Sequence, residues 1–361
     1  VQFSFTEEQL AIRAQVRAFL ADQCPPSAVR SAWHEQRGWS AARWEALAAM
    51  GVVGMLAPAR HGGLELGLVD LVGVLEELGW AAAPEPVVES AALAVPALAG
   101  LAAGGDEVAE GALAEVTAGR AVATVALAGG PRPGSAGPVG GRRLLHLVPA
   151  SAEVVVTVEP GAVAVVRLPA PAATVQPRQA LDGTRRPAVL ELDRNAWQPT
   201  VTDRAAQVLV DALADRAATA VAAVLVGLAD RMLAMAVQHA TDRRQFGRPV
   251  GSFQAVAHRL ADVAVALAST RPAVYRAAWS VDVEAASRRR DASMAKALAS
   301  DAATQAARAA LQVHGAMGYT WEHDLHLWMK RAWALAAAWG DARQHRAQVL
   351  AAVQAGARSG A

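Results

Sequence analysis

Along most of the chain apolar residues recur at helical spacing, and one middle stretch breaks that rhythm. Thr6 followed by Gln9 predicts a capped helix start, after which Leu10, Ile12, Val16 and Leu20 supply a broad apolar face. Further helices are predicted near residues 40–50 and 68–78, the latter ending close to Glu76 and Glu77. Between them Gly51, Gly54, Pro58, Gly62 and Gly63 punctuate a turn where the backbone must bend or pass close. The greasiest run, 91–105, carries Pro96. It is shorter than the ~20 residues that cross a bilayer, and it reads as a buried helix and its turn.

From about 121 to 200 the pattern changes to short runs of valine and leucine separated by glycine and proline, at 122–127, 144–148, 154–158, 163–168 and 189–192. That spacing predicts strands in a compact antiparallel sheet or barrel. Beyond 201 the helical period returns. Val221, Val224, Leu225, Leu228, Met232 and Met235 share one stripe, Val256, Leu260, Val263 and Leu267 another, and 295–313 and 325–339 continue in the same manner. The expected fold class is therefore α+β: an N-terminal α-helical domain (1–120), a central antiparallel β-domain (121–200) and a C-terminal four-helix bundle (201–361).

Composition narrows the functional classes. With 34 basic and 33 acidic residues spread along the chain, neither a nucleic acid nor an anionic membrane is the expected partner. Arg288, Arg289 and Arg290 read as a solvated turn. The single cysteine, Cys24, cannot form an internal disulfide and fits a reducing compartment. The opening residues, with Phe5 and Thr6 leading into the first helix, read as structure rather than a signal peptide, so a cytoplasmic location is expected. No metal-ligand spacing appears.

Two clusters carry the chemistry. The first is Arg243-Arg244-Gln245-Phe246-Gly247-Arg248-Pro249, followed by Phe253-Gln254 and Leu260-Ala261-Asp262; the second is Gln312-Val313-His314-Gly315-Ala316-Met317-Gly318-Tyr319. Together they resemble the C-terminal domain of the acyl-CoA dehydrogenases, and the glycine, proline and Glu76-Glu77-Leu78-Gly79 series of the N-terminal region is similar to that family's helical domain. The resemblance implies an FAD-dependent enzyme that introduces an α,β double bond into an acyl-CoA thioester and passes electrons to an electron-transfer flavoprotein. It also implies an oligomer, because the pyrophosphate and adenine half of each FAD is held largely across a subunit interface. Carried over by position, the FAD contacts are Arg243, Phe246, Gln254, Gln312, Gly315 and Gly318. A guanidinium suits a pyrophosphate, since its forked N–H groups donate paired, charge-assisted hydrogen bonds to phosphate oxygens.

The chain departs from the family where the base should stand. Laid without gaps, the family's Tyr-Glu-Gly-Thr segment falls on Ala338-Trp339-Gly340-Asp341, which puts Trp339 at the position of the catalytic glutamate. An indole N–H only donates and accepts no proton. A second position, used by isovaleryl-type members, falls near Ala217. Asp341 and Glu322 are the carboxylates nearest in sequence, and Asp341 is the weak candidate for a relocated base. In the β-region only Gly134-Ser135 matches the family's flavin-facing Gly-Ser-Asp segment, and no Trp-Ile-Ser counterpart precedes Val154. The pattern resembles the base-lacking subunit of actinobacterial heteromeric (α2β2) acyl-CoA dehydrogenases, several of which act on steroid side-chain thioesters. On that reading a homologous partner supplies the catalytic glutamate. Three alternatives remain: a self-sufficient homo-oligomer with Asp341 or another acid as base, a non-catalytic scaffold subunit, and an enzyme acting on an acyl group held by a carrier protein.

Overall fold

The computed structural model describes residues 4–127, 142–145, 152–159, 161–171, 173–193 and 198–359. In chain order these form α1 (Glu7–Gln23), α2 (Pro26–Ala32), α3 (Ala41–Ala49), α4 (Leu68–Trp80), a π-helical segment at Val88–Ala94 running into α5 (Val95–Ala103), and α6 (Glu107–Thr117). The strands follow: β1 (Ala123–Leu127), β2 (Arg142–Leu145), β3 (Val154–Glu159), β4 (Ala162–Arg167), β5 (Ala173–Pro177), β6 (Ala188–Leu192) and β7 (Val201–Thr202). Then come α7 (Asp203–Asp242), the paired strands β8 (Arg244–Gln245) and β9 (Arg248–Pro249), α8 (Gln254–Asp282), α9 (Arg288–His314), α10 (Leu325–Ala337) and α11 (Ala342–Ser359). The chain divides into two compact units, Val1–Arg30 with Val72–Ala83 and Ala218–Ala361, and Ser31–Leu71 with Pro84–Ala217.

In the first unit α9 packs against α8, α10 and α11. It buries Ala292, Ala295, Ala299, Ala303, Ala306 and Ala310, small side chains that let the neighbouring helices approach. The predicted cap of α1 is present: Thr6 Oγ1 accepts from the Gln9 backbone N–H at 3.2 Å, and Gln9 Oε1 accepts from that of Thr6 at 2.9 Å. α4 and α7 cross at two glycines. A Cβ on Gly79 would lie 2.2 Å from the Val224 carbonyl oxygen, and one on Gly227 1.9 Å from that of Glu76. Next to this crossing Glu77 accepts from Arg13 Nε and Arg17 Nε, each at 2.6 Å, while Glu76 accepts from Arg13 Nη2 at 2.9 Å and Arg271 Nε at 3.3 Å. Burial pushes the Glu76 carboxyl above its ordinary range, against the pull of Arg271 and Arg13.

The second unit holds a seven-stranded sheet in the order β5-β6-β2-β1-β3-β4-β7. Ala126, Ala152, Val155, Ala188 and Leu190 form its core, with Val166, Leu168, Ala173 and Val175 packed against them. The expectation of an antiparallel sheet needs one correction, since β1 and β3 pair in parallel, Ala123 opposite Val154 through Leu127 opposite Val158. A chain returning to the same edge direction needs a long connection, and residues between them place β2 on the far side of β1. β5 and β7 escaped the sequence reading because one ends on a proline and the other has only two residues.

Two helical expectations are also corrected. Arg288, Arg289 and Arg290 open α9 rather than forming a turn, and Arg290 Nη2 donates to Asp291 Oδ1 at 2.9 Å. The final helix does not run through Trp339: α10 ends at Ala337, and α11 starts four residues after Ala338 begins the break. Among the described residues α7 is the one helix long and apolar enough to cross a membrane; 67% of its apolar window is buried inside the fold, as in a core helix.

Candidate cofactor and catalytic site

The first motif lies where α7 ends. The backbone N–H of Arg243 donates to the His239 carbonyl at 2.9 Å, completing the last turn before β8 and β9 fold back on each other. Phe246 (φ +52) and Gly247 (φ +78) form the two-residue turn, both in the left-handed region that such tight hairpins require. The turn leaves the Phe246 ring 91% exposed, edge-to-face with Phe253 at 6.1 Å between centroids. Arg248 covers the other part of Phe253, its guanidinium carbon 4.1 Å from the ring centroid. Arg243 is exposed, and among the described residues it makes no ion pair; its neighbour Asp242 instead accepts from Gln238 Nε2 at 2.8 Å. Gln254 opens α8 and is also exposed.

The second motif closes α9. Gln312 points to solvent one turn before the end, and Gly315 stops the helix with φ +64 and ψ −142, a backbone conformation essentially confined to glycine. A Cβ at Gly315 would meet nothing within 4 Å, so the space above it is open. Gly318 differs: it is buried, and a Cβ there would lie 3.0 Å from His314 Cβ and 3.1 Å from Leu311 Cδ1, which gives this glycine a packing role. Three imidazoles join the two motifs. His239, four residues before Arg243, sits 4.5 Å between ring centroids from His314, and His314 sits 4.6 Å from His323. Burial, followed by the charge of neighbouring groups, foremost His314, lowers the pKa of His239 and of His323, which favours the neutral form of those two rings. Sequence spacing alone does not reveal this cluster, since its members come from three separate segments.

The third element is the break between α10 and α11. Trp339 (φ +58) and Gly340 (φ +97) make the bend, and Trp339 is 8% exposed. Lys296 reaches this bend from α9, wholly buried, donating to Gly340 O at 2.9 Å, Ala336 O at 3.0 Å and Ser300 Oγ at 3.0 Å. Burial pulls its ammonium down to about 7, opposed by the charge of Asp341. His345 Nε2 lies 2.9 Å from the Trp339 carbonyl oxygen, and burial pulls the imidazole down to about 4. Asp341 is exposed and caps α11: its Oδ1 accepts from the Gln344 N–H at 2.8 Å, and Gln344 Oε1 accepts from the Asp341 N–H at 2.9 Å. Of the other positions weighed from sequence, Glu322 is exposed and Ala217 is fully buried.

Residues 207–354 match the family model of the acyl-CoA dehydrogenase C-terminal domain, and residues 6–120 that of the N-terminal domain. The chain belongs to the acyl-CoA dehydrogenase family. This acyl-CoA dehydrogenase is 33% identical to acyl-CoA dehydrogenase IpdE2 of Mycobacterium tuberculosis over 328 residues, spanning 90% of this chain and 91% of that protein. IpdE2 of Mycolicibacterium smegmatis is 32% identical over 96% of this chain and 99% of its own length. Among solved structures, a chain of the ChsE4-ChsE5 complex from Mycobacterium tuberculosis superposes with a TM-score of 0.86 at 26% identity, covering 98% of this chain and 99% of that one.

The family is FAD-dependent, and the residues present fit the ADP half of that cofactor. Arg243 offers an unpaired, solvent-facing guanidinium, Phe246 a bare ring face, Gln254 and Gln312 exposed amides, and Gly315 a side-chain-free stretch of backbone. Gly134 and Ser135, which would bear on the flavin half, lie outside the described residues.

Proposed function

We propose that this chain is the FAD-gripping, base-lacking subunit of a heteromeric acyl-CoA dehydrogenase. Residues 1–120, 121–200 and 201–361 would act as its helical, β and helical-bundle regions. Arg243, Phe246, Gln254, Gln312 and Gly315 hold the ADP moiety across the interface, with Gly318 packing the turn behind them. A bound flavin supplies the acceptor for the hydride that leaves the acyl β-carbon while a carboxylate removes the α-proton. This chain's own part is to bind and orient the cofactor; the carboxylate comes from a homologous subunit.

The observation that carries this reading is the closed environment of Trp339. On an ungapped match to the family the base position falls on Trp339, an indole in a bend whose carbonyls are bound by Lys296 and His345, and the adjacent Asp341 spends its carboxylate on a helix cap. The likeness to a chain from a two-component complex supports a partner subunit. The substrate we assign is a bulky acyl-CoA, of the steroid side-chain type, in a cytoplasmic pathway whose electrons go to an electron-transfer flavoprotein.

The test is an absorption spectrum together with native mass, on this chain expressed alone and with its homologous partner. Flavin bands and a heterotetramer only in the co-expressed sample are expected. A yellow homo-oligomer from this chain alone would overturn the shared-site reading. In the assembled protein Arg243→Ala should lose most of its FAD, and full retention would remove the cofactor assignment.

A further inference from the structure

We propose that a cavity in the first unit, walled by Arg17, Trp80, Arg231 and Trp328, binds a small organic carboxylate. Its volume is about 240 Å³. That is below the ~300–1,000 Å³ of sites for drug-sized ligands, so the occupant is small. Arg231 lies about 18 Å along α7 from Arg243, at 1.5 Å per residue, so this place is separate from the FAD motif and independent of the function proposed above.

Arg231 is the reason to expect a ligand. Among the described residues its guanidinium makes no hydrogen bond or ion pair, and its Nε is buried without a partner. The side chain is half-buried with its Nε closed off, and buried polar atoms are almost always satisfied. Two indole rings offset part of the cost of that burial, with centroids 5.2 Å (Trp80) and 5.6 Å (Trp328) from the guanidinium carbon. Burial nevertheless holds the Arg231 pKa below its ordinary value; Asp324 acts on it through space but is bound by Arg30 Nη2 at 2.7 Å.

The rest of the wall sets the class of ligand. Glu77 is the one carboxylate lining the cavity, and both of its oxygens are taken, by Arg13 Nε and Arg17 Nε. Arg17 itself lies 5.5 Å from the Trp80 centroid. The cavity therefore presents excess positive charge, and a carboxylate can meet the free fork of Arg231 with two parallel bonds. Leu20, Pro25, Pro26 and the two indoles provide apolar surface for the body of the molecule. Trp328 is fixed there because its Nε1 donates to the Trp80 carbonyl at 2.8 Å.

Isothermal titration of the full chain with sodium benzoate, at constant ionic strength and with inorganic phosphate as the comparison anion, tests this. We expect saturable binding of benzoate, at least about tenfold weaker in Arg231→Gln, a factor that stands clear of ordinary scatter between variants. Far-UV circular dichroism checks that the variant is folded. If it is not, Arg17→Gln, whose side chain is 54% exposed, carries the same comparison with a smaller loss. Absence of saturable benzoate binding, equal binding by the folded variant, or phosphate binding as tight as benzoate would each overturn the proposal.

Discussion

Replacing Gly227 with alanine should destabilise the protein by about 2 kcal/mol net, the difference between a backbone clash and a propensity gain. The new Cβ would sit 1.9 Å from the Glu76 carbonyl oxygen and 2.8 Å from the Trp80 nitrogen, and real Cβ contacts below 3.0 Å are essentially unknown. Both obstructing atoms are backbone, so no rotamer change relieves them; α4 and α7 must part by roughly 1 Å, leaving gaps in a close-packed core. Overpacking costs about 1–3 kcal/mol, and a backbone collision belongs at the upper end. Against that, alanine in a helix interior gains about 1 kcal/mol over glycine. With an unfolding entropy of about 2.1 cal/mol/K per residue, 1 kcal/mol shifts the melting temperature of a 361-residue chain by roughly 1.3 °C, so it should fall by roughly 3 °C.

Two comparisons make the reasoning refutable by thermal melts followed by circular dichroism. Gly100 in α5 has nothing within 4 Å of an added Cβ, so Gly100→Ala should show the propensity gain alone and melt higher. Gly79→Ala collides from the opposite helix, with the Val224 carbonyl 2.2 Å away. Once one substitution has parted the helices the other finds room, so the double variant should cost at least about 1 kcal/mol less than the sum of the singles. A Gly227→Ala protein melting within about 1 °C of the parent, or strict additivity of the pair, would refute the close crossing.

Other outcomes follow from the site. Asp341→Ala removes the cap of α11 and should cost about 1 kcal/mol in urea unfolding, while turnover of the assembled enzyme stays near the parent's if the base is on the partner. Loss of turnover with flavin still bound would make Asp341 the base. His345 is 5% exposed, and burial pulls its pKa to about 4. Its neutral ring therefore contributes stability that is fully present above about pH 6.5, the unfolded value, and is lost as pH falls towards 4, about 3 kcal/mol in all. Denaturant titrations at several pH values should show that slope, and His345→Gln should flatten it. Phe246→Ala removes an exposed ring, so unfolding should change by less than about 0.5 kcal/mol. FAD retention should nonetheless weaken, and a variant that keeps FAD as tightly as the parent would exclude the ring from the site.

The helical regions were legible because burial there follows sequence periodicity: Val16, Leu20, Leu225, Leu228 and Met232 are all buried, as their spacing demands. Val156, Val163 and Leu190 marked strands for the same reason, whereas the parallel pairing of β1 with β3 depends on partners distant in sequence, which no local pattern encodes. The candidate cofactor motif was marked by its resemblance, whereas the exposure of its side chains was not. A reading of composition alone makes Lys296 a surface residue; its burial follows from Ala292, Ala295, Ala299 and Ser300 sharing its helical face, a signal visible only once that face is known to turn inward. Arg231 was hidden similarly, since an arginine on an apolar helix is ordinarily expected to find a carboxylate.

The two halves of the site differ in what they leave free, and that difference bears on mechanism. At the ends of α7 and α9 stand groups suited to an anionic dinucleotide: among the described residues Arg243 has no ion pair, Phe246 is exposed and Gly315 leaves open space. At the bend between α10 and α11 Lys296 is bound to three acceptors, His345 Nε2 to the Trp339 carbonyl and Asp341 to the α11 cap. Proton abstraction there would require a carboxylate to leave its cap and a buried indole to move aside, losing about 1 kcal/mol for the cap and more for the packing. Binding at the first place requires no such loss. That balance is the physical ground for proposing a chain that holds the cofactor and leaves proton transfer to a partner.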